Sequence, residues 1–237
     1  MTNNIYLKTN LELIEYLNSR FSNESLFIID SNLNNFKIDE QVNARVSYFD
    51  INEETKNLKS VEKIWDLLFQ HNLNRSSEIV IIGGGVLLDV CAFASSTFKR
   101  GVSFTFVPST LLSMVDASHG GKNGFNNKYG KNQIGTFTLP ESVIVCYQLL
   151  DTLPEDHYKD GLIELIKHGM IANEKIFNSM ITKPSFNVDF EIIKEGIDVK
   201  LKIVSEDFLE GNKRKLLNFG HTVGHLVEKD SNYEITH

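Results

Sequence analysis

No stretch of the chain reaches the ~18 consecutive apolar residues that a membrane-spanning helix needs, so none is expected. There is no long basic run, and a formal net charge of −7 over 237 residues argues against a nucleic-acid partner. The N-terminus, MTNNIYLKTNLELIEYL, lacks a basic segment followed by an apolar one and does not read as a secretory signal. Cysteine is scarce: Cys91 in LDVCAFA and Cys146 in VIVCYQ are the only two. Their apolar flanks point to buried free thiols in a reducing cytoplasm rather than to a disulfide. Internal repeats and low-complexity segments are also missing. What remains is ordinary for a globular chain, with 41% hydrophobic and 23% charged residues. The length suits one large α/β domain or two smaller ones.

The first ~150 residues alternate between the two hydrophobic periods. SLFIID (25–30) is a short apolar run ending in an acid and reads as a buried strand. ARVSYFDI (44–51) alternates as a strand does, whereas NLKSVEKIWDLLFQHN (57–72) has helical spacing. SEIVIIGGG (77–85) is a strand meeting a glycine turn, and VLLDVCAFASSTF (86–98) an apolar helix. VSFTFVP (102–108) and SVIVCY (142–147) are strands again. Strands this apolar, separated by helices, predict an α/β fold with a mostly parallel sheet covered on both faces. Residues 109–135, rich in Gly, Asn and Lys, read as a functional loop. Beyond residue 150 only helical patterns follow, starting with a helix that Asp160 is expected to cap. The expected organisation is an α/β domain over 1–150 and a helical domain over 151–237.

Strand, three glycines, helix is a way to present backbone N–H groups to a phosphate at a helix N-terminus. Yet GGGVLLD is not the G-x-G-x-x-G fingerprint, and a tight turn packing helix on sheet explains it equally well. Asp30 could accept from a ribose hydroxyl or simply end its strand. His221 and His225, four apart, could bind one metal from a single helix face. Their spacing leaves that open.

Five stretches together decide more: IIGGGVLLD, FKRGVSFTFVPSTLLSMVDASHGGKNG, GKNQIG, LPEDHYKDGLIELIKHG and LLNFGHTVGH. They closely resemble the 3-dehydroquinate synthase family, the type member of the sugar phosphate cyclases. The likeness is strongest from 79 to 228. It implies an N-terminal NAD-binding α/β domain and a C-terminal helical domain for metal and substrate. It implies a homodimer in the cytoplasm acting on a sugar phosphate. It also implies Zn2+ or Co2+ held by Glu164, His221 and His237, the last in YEITH. Two imidazoles and a carboxylate leave a coordination position open for a substrate oxygen. His225 is then a contact to the substrate phosphate.

Further residues follow from the resemblance one by one. Lys122, Asn132 and Asn218 match groups that hold the phosphate, and Arg100 an arginine lent across a dimer interface. Lys200 and Arg214 match a pair that grips the substrate carboxylate, which an arginine fork suits. Asp116 and Lys167 match groups near the reacting hydroxyls. For NAD the matches are Asp30, Glu53, Lys56, Gly84, Gly85, Val86, Asp89, Ser109, Thr110, Lys131 and Thr152. The implied reaction is conversion of 3-deoxy-D-arabino-heptulosonate 7-phosphate to 3-dehydroquinate and phosphate, with no net redox change. The chain ends at His237 where the family continues, so a truncated, incomplete helical domain is expected, without a C-terminal lysine that helps hold phosphate. His119 stands where a small or apolar residue is usual, and Asn123 where threonine is common. A sister cyclase and a non-catalytic NAD-binding remnant are the alternatives. The glycerol dehydrogenase type shares the fold but lacks the Gly-Gly-Lys loop.

Overall fold

The computed structural model describes residues 2–182, 188–221 and 224. The chain divides into two compact units, 1–110 with 121–152 and 111–120 with 153–237. The short segment 111–120 thus belongs to the second unit although residues of the first flank it on both sides.

The first unit opens with β1 (Asn3–Leu7) and α1 (Asn10–Arg20), neither of which the hydrophobic pattern announces. A capping box starts α1: Thr9 Oγ1 accepts from Glu12 N at 3.2 Å, and Glu12 Oε2 accepts from Thr9 N at 3.1 Å. Then come β2 (Leu26–Asp30), β3 (Arg45–Phe49), α2 (Leu58–Gln70) and β4 (Glu78–Gly83). α3 (Gly85–Thr97), β5 (Ser103–Pro108), β6 (Lys122–Asn127), β7 (Gly130–Phe137) and β8 (Ser142–Cys146) complete the unit. Six strands form one sheet in the order β1-β8-β5-β4-β2-β3, and every pairing is parallel. Ile79, Val80, Ile81 and Ile82 of β4 are all fully buried, as a strand covered on both faces must be. The stretch 109–135, read as a loop, instead contains a π turn (Ser113–Ala117) and β6 with most of β7, which pair antiparallel.

The second unit holds α4 (Glu155–Ala172), α5 (Glu174–Thr182) and α6 (Phe190–Glu206) with the π turn. Pro154 precedes α4, and Glu155 and Asp156 fill its first turn, where acids favour the helix N-terminus. Asp160 therefore lies inside the helix and does not cap it, contrary to expectation. α4 and α6 approach closely at Gly196: a Cβ there would fall 2.4 Å from Leu165 Cδ2. Both cysteines are buried and free, as expected.

Candidate functional site

In the first unit Asp30, Gly84, Gly85, Val86, Asp89, Ser109 and Thr110, expected for NAD, end or follow β2, β4 and β5 at their carboxyl ends. β4 and β3 lie on opposite sides of β2, so the strand order reverses here, where open α/β sheets leave a crevice. Asp30 ends β2 and accepts from Asn32 N and Nδ2, both at 2.9 Å. Gly84 caps α3, with Gly85 and Val86 in its first turn, whose N–H groups have no intrahelical acceptor. A Cβ on Gly83 would lie 3.1 Å from Asp30 Cβ, and one on Gly84 would lie 3.3 Å from Thr110 Cγ2. Ser109 N donates to Gly83 O at 2.9 Å. The Lys56 ammonium, almost fully buried, donates to Asp89 Oδ2 and to Asn132 Oδ1, each at 2.7 Å. Glu53 Oε1 accepts from Asn126 at 2.8 Å and lies 3.8 Å from Lys131 Nζ. Lys122 opens β6 with an exposed side chain, and Thr152 and Arg100 are exposed, Arg100 at φ +69°.

The second unit holds Asp116, Glu164, Lys167, Lys200, Arg214, Asn218 and His221, the first four around a buried polar nest, whereas Arg100, Lys122 and Asn132 belong to the first unit. On α4, Glu164, Lys167 and His168 share a face through i, i+3, i+4 spacing. Lys167 pairs with Glu164 Oε2, and His221 Nε2 lies 3.6 Å from Glu164 Oε1. The π turn presents Asp116, whose Oδ1 pairs with Lys200 from α6 and lies 3.8 Å from His168 Nε2. Burial acts to raise the Asp116 carboxyl. Lys200, then His168 and Lys167, outweigh it and hold the group well below the usual carboxylate range. Arg214 is buried and donates to Phe208 O. Burial lowers its guanidinium, an effect that Glu210, Asp116 and Asp207 partly offset. Asn218 is exposed and donates to Glu210 Oε1 at 3.2 Å. His225 and His237 lie outside the described residues.

The sequence reading missed His168. It is wholly buried, and neither ring nitrogen has a hydrogen-bond partner among the described residues. Its one signal was the helical spacing from Glu164. His119, set apart only as a departure from the family pattern, is also buried, and burial, with Lys200 adding, pushes its imidazole down to about 4.

Asp116, Glu164 and His168 each offer a ligand atom, and these atoms lie within 4.8 Å of one another. With His221 beside Glu164, the donor set of carboxylates and imidazoles suits a borderline divalent cation such as zinc or cobalt. The orphaned imidazole of His168 is the observation that favours an ion in this nest over a purely structural one. The tight, side-chain-free backbone at Gly83 and Gly84 likewise fits a dinucleotide pyrophosphate.

Comparison with known proteins agrees with both halves. Residues 47–160 match the model of the 3-dehydroquinate synthase N-terminal domain, and residues 161–237 that of the C-terminal domain. 3-Dehydroquinate synthase of Pyrococcus furiosus is 46% identical over 188 residues, 78% of this chain and 56% of the relative. The Pelagibacter ubique enzyme is 39% identical over 98% of this chain and 66% of its own length. The chain thus spans little more than half the length of most of the curated relatives that it matches. Among solved structures, 2-deoxy-scyllo-inosose synthase complexed with carbaglucose-6-phosphate, NAD+ and Co2+ superposes with a TM-score of 0.86 at 26% identity. That match covers 99% of this chain and 69% of the other. A probable glycerol dehydrogenase from Sinorhizobium meliloti shares the fold alone, with a TM-score of 0.60 at 14% identity over 84% of this chain and 62% of its own. Matched end to end from residue 47 by the two domains of one family, and by curated members at about 40% identity, the chain belongs to the 3-dehydroquinate synthase family.

Proposed function

We propose that this chain carries the NAD-binding and metal-binding parts of a cytoplasmic, homodimeric 3-dehydroquinate synthase. The reaction is conversion of 3-deoxy-D-arabino-heptulosonate 7-phosphate to 3-dehydroquinate and phosphate. The observation that supports this substrate most is the pair of buried cations, Lys200 and Arg214, whose charges both bear on Asp116. A substrate carboxylate supplies this pair with an anion beyond Asp116, which a sugar phosphate lacking that carboxylate does not.

When bound, NAD supplies reversible hydride transfer at a ring hydroxyl, and the divalent cation supplies Lewis acidity. Glu164 and His221 are the proposed ligands together with His237, and Asp116 and His168 lie within ligand distance. Asp30 and Glu53 receive ribose hydroxyls, and the first turn of α3 receives the pyrophosphate. Lys56, Asp89, Ser109, Thr110, Lys131 and Thr152 complete the dinucleotide contacts. Lys200 and Arg214 orient the carboxylate. Lys122, Asn132, Asn218 and His225 hold the phosphate, and Arg100 reaches the partner subunit. Asp116, kept ionised by Lys200, accepts hydrogen bonds from the reacting hydroxyls, and Lys167, paired with Glu164, donates to them.

The 2-deoxy-scyllo-inosose synthase likeness favours a sister cyclase as the second reading. Phosphate release separates the two. The heptulosonate phosphate should be strongly preferred over sedoheptulose 7-phosphate, which lacks the carboxylate. Faster release from sedoheptulose 7-phosphate removes the first reading.

A further inference from the structure

The two residues after the π turn at Ser113–Ala117 bond back to it. Ser118 donates to Ser113 O twice, through N at 3.1 Å and through Oγ at 2.7 Å. His119 N donates to Asp116 O at 3.1 Å. His119 Nε2 lies 3.0 Å from Met114 O. A carbonyl oxygen can only accept, so Nε2 carries the proton. In a neutral ring that leaves Nδ1 as a lone-pair acceptor. The ring is 3% exposed, and Nδ1 has no hydrogen-bond partner among the described residues. A buried acceptor without a donor is costly and implies a group that completes it. π turns carry an extra residue at some energetic cost and recur at functional sites. This one presents Asp116 to Lys200 and His168.

We propose that His119 is a positioning residue for Asp116. Its Nε2–H staples Met114 O, fixing the π turn, and its Nδ1 lone pair holds an O–H donor beside Asp116 and Lys200. The donor is either a substrate hydroxyl or a buried water; the chemistry is the same. The proposal rests on the synthase reading for its consequence in turnover, but not for its geometry.

Long-range 15N–1H correlation of the histidine rings at pH 7 reads the geometry, with His119→Gln supplying the assignment. A neutral ring protonated at Nε2 is expected; protonation at Nδ1 overturns the proposal. In phosphate release, His119→Leu should lower kcat about tenfold, as expected for one hydrogen bond, with KM for NAD unchanged. His119→Gln, whose Nε2–H reaches the same carbonyl, should recover most of that loss. A raised KM for the sugar phosphate in both variants identifies the donor as a substrate hydroxyl, and an unchanged KM identifies it as water. Wild-type kcat in His119→Leu, or no recovery in His119→Gln, overturns the proposal. A full-length protein that releases no phosphate from the heptulosonate phosphate sinks the synthase reading instead. His119 is then decided by amide exchange at Ser118 and His119, which His119→Leu must accelerate at least tenfold and His119→Gln must not.

Discussion

Replacing Gly120 by alanine should damage Arg214 without touching it chemically. Gly120 has φ +102°, a conformation that glycine adopts freely and an L-residue does not. The added Cβ would lie 2.4 Å from Arg214 Nη2, 3.1 Å from its Cζ and 3.2 Å from Val204 Cγ2. Ordinary contact needs roughly 3.5 Å, so the guanidinium must move by about 1 Å. It is buried, and its Nη1 is committed to Phe208 O, so the movement strains a charge-assisted bond worth about 1.5–3 kcal/mol. The backbone adds about 1–3 kcal/mol of its own. At roughly 2–4 °C per kcal/mol for a chain of this size, the backbone part alone lowers Tm by about 2–12 °C. If Arg214 grips the substrate carboxylate, KM for the heptulosonate phosphate rises about ten- to a hundredfold, approaching that of Arg214→Ala. Differential scanning fluorimetry and a phosphate-release assay measure the two effects. A Gly120→Ala protein with wild-type Tm and wild-type KM would refute the reasoning, because neither the strain nor the displaced guanidinium would then exist.

Asp89→Ala should strand the buried Lys56 ammonium with only Asn132. Stability should fall by about 3–5 kcal/mol in chemical denaturation, with loss of NAD binding by calorimetry. Glu164→Gln and His221→Ala should each abolish Co2+ uptake followed by visible absorption, whereas His225→Ala should keep the ion and lose affinity for phosphate. Equal loss in His225→Ala would reverse the division of labour. Burial raises both thiols, Cys146 to about 11 and Cys91 further, with Asp30 adding to the latter. The native chain should therefore resist a disulfide reagent at pH 8 and react at both sites once denatured.

The central sheet was legible because β2, β4, β5 and β8 are short apolar runs, and burial on both faces leaves no other use for them. β1 was not: NNIYL acquires strand identity only by pairing with β8, far along the chain. The β6–β7 hairpin was hidden for a similar reason. KNGFNN and GKNQIGTF lack β-branched alternation, and tertiary contact compensates, with the Phe125 ring 5.1 Å from that of Phe93 and a bulge between Phe125 and Asn127. At the site, the resemblance to the family, rather than composition or spacing, pointed to Asp116, Glu164, Lys167, Lys200 and Arg214, all of which lie in the second unit. His168 escaped because a histidine beside a lysine on an amphipathic helix looks like a solvated face. Only the packing of α4 against α6 at Gly196 turns it inward.

The segment 111–120 has a consequence for modularity. The polypeptide crosses from one unit to the other three times, after Thr110, after Gly120 and after Thr152. Neither unit can therefore be excised as a continuous piece. A gene cut at residue 152 yields helices without Asp116 and a sheet with a foreign strap in the middle of its sequence. Recombination that shuffles domains at linkers cannot exchange the metal nest of this fold for another while keeping the nucleotide half. The two halves must change together by point substitution.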